Sequence, residues 1–444
     1  MVATVITALV VATSILLMLL RPRGLAEVWW VCGGALSLVV LRLIPLRLAA
    51  SAVAKGGDVY FFLAGMMLLS EIARRHGVFD WLSSVAVRSA RGSSTRLFTT
   101  LYAVGTAVTI FMSNDATAVV LTPAVLVAVR KAKVDPLPHL FVCAFIANAA
   151  SFVLPISNPA NLVVFRGAMP SLGRWFEAFA LPSALSIAAT YVVLRWIFRR
   201  PLAGKLEAQG EVQPLSRGGR WALAGVGLVS VALLAASALG ADLGLPTFAA
   251  ALTVAAAVSF AARRNPLPLF REISWSTLAL VAGLFVLVEA AETIGALRIT
   301  RIGLTSAESL PRGLGMLAVS FAVGVGNNAV NNLPLGLLVG ATVQQAHPPV
   351  PLAHAALIGV DLGPNLALTG SLATILWLIA LRKEKLDVSF RQFLRVGVLV
   401  MPTALAAATL GSLVASALGA GEGGQPSSAS LTVPRPISTP ENHP

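Results

Sequence analysis

Charge is the scarcest thing in this chain. Only 12% of its 444 residues are Asp, Glu, Lys or Arg, while 57% are hydrophobic and the mean hydropathy is +0.82. Soluble domains carry about one quarter charged residues, so a water-soluble globular domain is excluded and lipid is the solvent for most of the chain. Cysteine is nearly absent too. Cys32 and Cys143 lie inside apolar stretches, which excludes a disulfide framework and a thiolate metal site and leaves both as small buried hydrophobes. Also missing are His-Glu-x-x-His, Gly-x-Gly-Asp and Gly-x-Ser-x-Gly patterns, so an intramembrane protease would lack its metal ligands or nucleophile. No cofactor and no metal are expected. The net charge of +14 does not point to nucleic acid, because Lys and Arg fall in short clusters between apolar runs with no soluble basic domain to hold them.

What is present is a series of apolar runs of about 17 to 25 residues, the length a helix rising ~1.5 Å per residue needs to cross a ~30 Å hydrocarbon layer. Full crossings are expected near 2–20, 25–41, 57–73, 138–165, 178–197, 221–240, 246–262, 274–291, 350–381 and 396–418. The first run has no basic segment before it and Arg21-Pro22-Arg23 after it, where a signal cleavage site would stand, so it reads as a retained span. Two further stretches, 97–129 and 314–343, are too long for one crossing and are interrupted at Ser113-Asn114-Asp115 and from Asn327-Asn328 to Asn331-Asn332-Leu333-Pro334. Each fits a re-entrant hairpin, since irregular backbone at membrane depth is tolerated only where protein or a watery cavity satisfies it. With both termini outside, 24 of the 33 Lys and Arg residues fall on the cytoplasmic side, as the positive-inside rule requires.

An internal repeat is visible. Gly65 to Glu71 followed by Gly77 recurs 218 residues later as Gly283 to Glu289 followed by Gly295. The expected fold is therefore an all-α polytopic membrane protein of two inverted repeats, each with five transmembrane helices and one re-entrant hairpin, and with broken helices at the midplane. The first repeat would occupy 1–200, a basic cytoplasmic connector 201–220, the second repeat 221–418, and a Gly-, Ser- and Pro-rich disordered tail 419–444. After each hairpin comes an interrupted crossing. The first reads Asn148-Ala-Ala-Ser151, then Pro155-Ile-Ser157-Asn158-Pro159-Ala-Asn161. The second reads Asp361-Leu-Gly363-Pro364-Asn365, then Thr369-Gly370-Ser371 and Thr374; at an offset of 213, Asn148 falls on Asp361 and Asn158 on Ser371.

Asn, Ser and Thr in a membrane often only bridge helices, and Gly and Pro often only kink them. Four such clusters, symmetric and beside hairpins, point instead to a cavity lined by helix ends, amides and hydroxyls. The expected cargo contacts are Asn114, Thr117, Asn158, Asn161, Asn331, Asn332, Ser371 and Thr374, with Asn148, Asn328 and Asn365 in support. Asp115 and Asp361 are the acidic residues at the breaks, and an ionisable group at that depth marks an ion or proton path. Glu71 and Glu289 fall at helix ends, where capping or pairing serves as well as any other role. His76 and His354 lie near interfaces and suggest no function.

Phe111-Met-Ser113-Asn114-Asp115-Ala-Thr117 to Thr122-Pro123 resembles the Asn-Asp hairpin motif of the arsenite and antimonite efflux permease family, within the ion-transporter superfamily. Similar elements follow in order: Phe145-Ile-Ala-Asn148, Ser157-Asn158, Asn331-Asn332-Leu-Pro334, Asp361-Leu-Gly363-Pro364, and Gly370-Ser371 to Trp377. The resemblance implies export of arsenite and antimonite across the inner (plasma) membrane in exchange for protons. It also implies a homodimer and, in some members, a soluble ATPase subunit. Members of that family have Asp where this chain has Asn148, which bears on proton stoichiometry. The alternative is another superfamily carrier, for an anion, for silicic acid or for sodium–proton exchange. Dicarboxylate and sulfate carriers of the superfamily tend to have Ser-Asn-Thr where this chain has Ser113-Asn114-Asp115, and a carboxylate there would repel a dianion. Arsenous acid, a neutral trihydroxy solute at pH 7, needs amide and hydroxyl partners more than fixed positive charge.

Overall fold

In a hydrocarbon layer each backbone polar group must be satisfied within its own segment, and this chain meets the requirement with helices. Among the described residues the only β-type pairing is one bridge, Ser93 to Lys205. A computed structural model describes residues 1–206, 214–263 and 265–418; the expected tail 419–444 and residues 207–213 of the expected connector lie outside the described residues.

The helices before residue 207 are α1 (Val2–Leu20), α2 (Glu27–Val40), α3 (Leu46–Lys55), α4 (Gly57–Arg75), α5 (Val78–Ser89), α6 (Ser94–Met112), α7 (Thr122–Lys131), α8 (Pro136–Ala149), α9 (Pro159–Val164) and α10 (Leu172–Ile197). After it come α11 (Arg217–Ala238), α12 (Gly244–Ala262), α13 (Leu267–Arg271), α14 (Trp275–Thr293), α15 (Leu297–Glu308), α16 (Arg312–Val330), α17 (Asn332–Ala346), α18 (Val350–Leu362), α19 (Leu372–Lys383) and α20 (Phe390–Ala417). Among the described residues, eight helices are long and apolar enough to cross a membrane, and α3 with α4, bent by 47°, makes a ninth. The expected interrupted crossings escape that criterion because each is two short helices, α8 with α9 and α18 with α19.

Some expectations need correction. The run expected to cross at 25–41 forms a helix of only 14 residues, because Arg42 takes a left-handed backbone (φ 55°) and Pro45 starts a new helix, the amphipathic α3. Helices α5 and α15 were not expected as elements. Each buries one face, Val78, Phe79, Ala86 and Val87 in α5, and exposes charges on the other, so hydropathy alone reads them as connections.

The order of elements recurs across the chain, and so do the contacts. α2 packs on α14 and α12 on α4; α1 lies on α2 and α11 on α12; α6 lies on α8 and α16 on α18; α10 and α20 pack on each other. The repeated glycines explain two of these pairings. A Cβ on Gly65 would stand 2.9 Å from the backbone of Thr247 and Phe248 in α12, and one on Gly283 2.8 Å from the Val31 side chain in α2. Gly65→Val should therefore destabilise the protein by about 1–3 kcal/mol through overpacking. Gly227→Val, where nothing lies within 4 Å, should leave it unchanged. Thermal unfolding in detergent checks this, and equal melting temperatures for the two variants would refute the close-packing role.

Candidate functional site

Polar residues inside the bundle concentrate where helices stop. After α6 the chain reverses at Ser113–Asp115 and continues through a π-helical turn, Ala116–Leu121, into α7. The reversal is tied by Thr117, whose hydroxyl lies 2.8 Å from that of Thr109 and 3.4 Å from the Gly105 carbonyl on the incoming arm. α16 and α17 pack on each other in the same way, with the reversal at Asn331. Both tips carry a non-glycine residue at positive φ, Ser113 at 131° and Asn331 at 82°, again 218 positions apart. Such backbone costs about 1–3 kcal/mol and persists where function or surroundings impose it. Asn114 turns its Oδ1 onto the Asp115 amide and so shapes the first tip.

The second tip is bound to the break between α18 and α19. The Asn332 amide donates to the Gly370 carbonyl (2.9 Å), the Asn331 side chain to the Thr369 carbonyl (3.2 Å), and the Thr369 hydroxyl to the Asn328 carbonyl (2.9 Å). Asn328 also donates to the carbonyls of Gly324 and Gly363 and accepts from the Ala367 amide. At the first tip a similar bond runs from the Ser157 hydroxyl to the Ile110 carbonyl (3.0 Å).

The two breaks meet each other. Asn158 caps α9 by accepting from the Ala160 amide, while its Nδ2 donates to Asp361 Oδ1 at 2.5 Å. Asn148 Nδ2 donates to Asn365 Oδ1 (2.9 Å), and Asn365 Nδ2 to the Phe145 carbonyl (3.1 Å). Ser371 caps α19 through the Thr374 amide (3.0 Å), with the Thr374 hydroxyl 2.8 Å away. All of these side chains are buried. Asp361 Oδ2 has no hydrogen bond; it stands beside the Ser151 hydroxyl, which donates to the Asn148 carbonyl instead. No ion pair reaches Asp115 or Asp361 among the described residues.

Asn161 does something else. Its Nδ2 donates to the carbonyls of Ser151, Leu154 and Pro155, closing the loop that breaks the first crossing. Thr117 is likewise spent on holding its hairpin. Asn327, absent from the expected site, lies one turn before Asn331 and donates to the Val360 carbonyl beside Asp361 (2.5 Å); that one-turn spacing is the sequence signal that marks it.

A cavity of about 480 Å³ leads to this region. Glu71, Arg74, Glu272, Ser274 and Lys383 line one end, and Ser113, Asp115 and Pro159 the other, with Phe62, Met66 and Val119 among its walls. Of the predicted site residues Asp115 opens onto it directly; Asn114 and Thr117 are buried at the same tip.

A bundle of long apolar helices with two chain reversals and two helix breaks enclosing buried amides and a carboxyl, reached by a cavity from one end, defines a multi-pass membrane transporter rather than an enzyme. Residues 2–359 match the family described as citrate transporter, and the chain belongs to that family. Curated relatives include the arsenical pump membrane proteins of Yersinia enterocolitica, 26% identical over 420 residues, and of Escherichia coli (strain K12), 26% identical over 416; both alignments cover 87% of this chain and 93% of the relative. An uncharacterised transporter of Synechocystis is 23% identical over 405 residues, covering 85% of this chain and 90% of its own length. Among solved structures, the Alcanivorax borkumensis YdaH transporter, described as having an unusual topology, shares the fold with a TM-score of 0.58 at 15% identity, over 85% of this chain and 89% of that one.

Proposed function

We propose that this chain exports arsenite and antimonite from the cytoplasm in exchange for protons, by alternating access between two inverted repeats. The observation that carries the cargo class is the hydrogen-bond balance at the breaks. Oδ1 of Asn327 and Asn332 and Oδ2 of Asp361 are buried acceptors without a donor, and each such orphan costs about 1–3 kcal/mol until something donates to it. Arsenous acid brings three O–H donors and no charge. An anion such as citrate would bring acceptors to acceptors, and a charge set ~4 Å from a carboxylate would be repelled by about 4 kcal/mol at an effective dielectric of 20. Asn332 and Asp361, together with the first tip at Ser113, Asn114 and Asp115, are the groups assigned to cargo, and Asp115 and Asp361 to the proton. Asn158, Ser371 and Thr374 hold the helix ends that frame the site. The arsenical names of the curated relatives support the same reading.

The family description favours a second reading, an organic anion carrier, and Arg74 and Lys383 at the rim of the cavity are its cationic candidates. The deciding experiment is expression in a host lacking its own arsenite permease. Arsenite resistance should return and cellular arsenic should fall. Unchanged arsenic content with the protein present in the membrane would overturn the proposal.

A further inference from the structure

The cavity that reaches Asp115 has a collapsed twin. Adding 218 to Met67, Ser70, Glu71, Arg74 and Val119 of the open cavity gives Phe285, Val288, Glu289, Glu292 and Leu337, all of which line a space of only about 10 Å³ toward the opposite end of the bundle. Two halves with the same element order thus present one open and one shut passage, the shut one lying beside a cavity of about 1140 Å³ that Arg166 and Gln344 also line. The difference is built by particular contacts. On the shut side Lys55, at the end of α3, donates to Glu289 Oε2 at 2.7 Å, joining the first half to the second. Gln344, near the end of α17, donates to the Arg166 carbonyl, and the Arg166 guanidinium lies 5.4 Å from the Phe285 ring centre. α14 packs along α17, and Gly340 brings α17 so close to α9 that a Cβ would stand 2.6 Å from the Val163 carbonyl. On the open side α4 meets the hairpin mainly at its π-helical turn, and Glu71 pairs with Arg74 and Arg75 of its own helix; the bridge from there to the second half is made by Arg75, which reaches Glu272 and the Pro268 carbonyl, and the cavity stays open beside it.

We infer that Lys55 and Glu289, with Arg166 and Gln344 beside them, form the latch that holds the outer entrance shut, and that releasing it is a step of the transport cycle. The inference rests on the alternating-access reading above, and its consequence is conformational: breaking the latch shifts the population from inward-open toward outward-open without touching a cargo or proton group.

The test uses the full chain with Cys32→Ala and Cys143→Ala, carrying either Val119→Cys in the open entrance or Leu337→Cys at the equivalent place in the shut one. A membrane-impermeant maleimide is applied to right-side-out and everted vesicles without cargo. In the parent, Val119→Cys should label from the cytoplasmic side and Leu337→Cys only slowly from outside. Lys55→Gln and Glu289→Gln should each raise outside labelling of Leu337→Cys roughly fivefold, the factor expected on losing a partly exposed ion pair, and slow labelling of Val119→Cys. The exchange Lys55→Glu with Glu289→Lys should return both rates toward the parent. Unchanged Leu337→Cys rates in both single variants, a rise at both positions together, or no recovery in the exchange would overturn the latch. Because no arsenite is used, a failed cargo assignment would leave this result intact, and a failed latch would leave the cargo assignment standing.

Discussion

Asp361→Asn and Asp115→Asn should each abolish accumulation of arsenite against its gradient while leaving downhill exchange. Asp361 is buried, with one oxygen bonded to Asn158 and the other without a partner. Asn at this position keeps an acceptor for the Asn158 amide and so keeps the junction of the two breaks, but it cannot take up or release a proton. At the hairpin tip, Asp115 opens directly onto the 480 Å³ cavity. Its replacement leaves the bond from its own amide to Asn114 in place, since that bond uses backbone. An exchanger must bind proton and cargo in a linked way, and a carboxyl that changes charge beside the cargo is the simplest device. In everted vesicles with an imposed pH gradient, the accumulation ratio of either variant should fall to about one, the value fixed by equal activities of a neutral solute on both sides. Parent-like accumulation in both variants, collapsing with a protonophore as in the parent, would show that neither carboxyl carries the proton.

The second large effect is expected at Asn158, because one side chain does two jobs. Its Oδ1 caps α9 and its Nδ2 donates to Asp361. Removing a cap costs about 0.5–2 kcal/mol, and leaving a buried hydrogen-bond partner unsatisfied about 1–3 kcal/mol, more when that partner is charged. Asn158→Ala should therefore lose transport and several kcal/mol of stability. Asn158→Ser keeps a capping oxygen but does not reach as the amide does, so it should recover the cap and not the transport. A cycle of Asn158→Ala, Asp361→Ala and the double variant, followed by unfolding in detergent, should give a coupling above about 1.5 kcal/mol. Additivity within about 0.5 kcal/mol would mean that the bond contributes nothing.

The places where helices stop around the candidate site were legible because membranes punish polar residues. Asn-Asp, Asn-Pro and Asn-Asn-Leu-Pro inside apolar runs are expensive unless the helix stops there, so the tips and breaks could be placed from sequence alone. The partners could not. Aligning the halves puts Asn148 opposite Asp361 as equivalents, yet the contacts are Asn148 with Asn365 and Asn158 with Asp361. Alignment of two halves says nothing of which residues touch. Asn161 reads like its neighbours in sequence, but three carbonyls of its own loop claim its amide. Helices α3, α5 and α15 were hidden because a half-polar helix at an interface has the mean hydropathy of a loop. Least legible was the inequality of the two entrances, since repeated sequence encodes both shapes and only packing selects one.

Purified protein in liposomes with an acidic lumen and neutral exterior tests the central proposal most directly, with arsenite and citrate offered separately as labelled cargo. Protons leaving the lumen should drive arsenite in, above its outside concentration, and collapsing the gradient should release it, while citrate stays outside. Accumulation of citrate, or arsenite entry that is indifferent to the pH gradient, would contradict it.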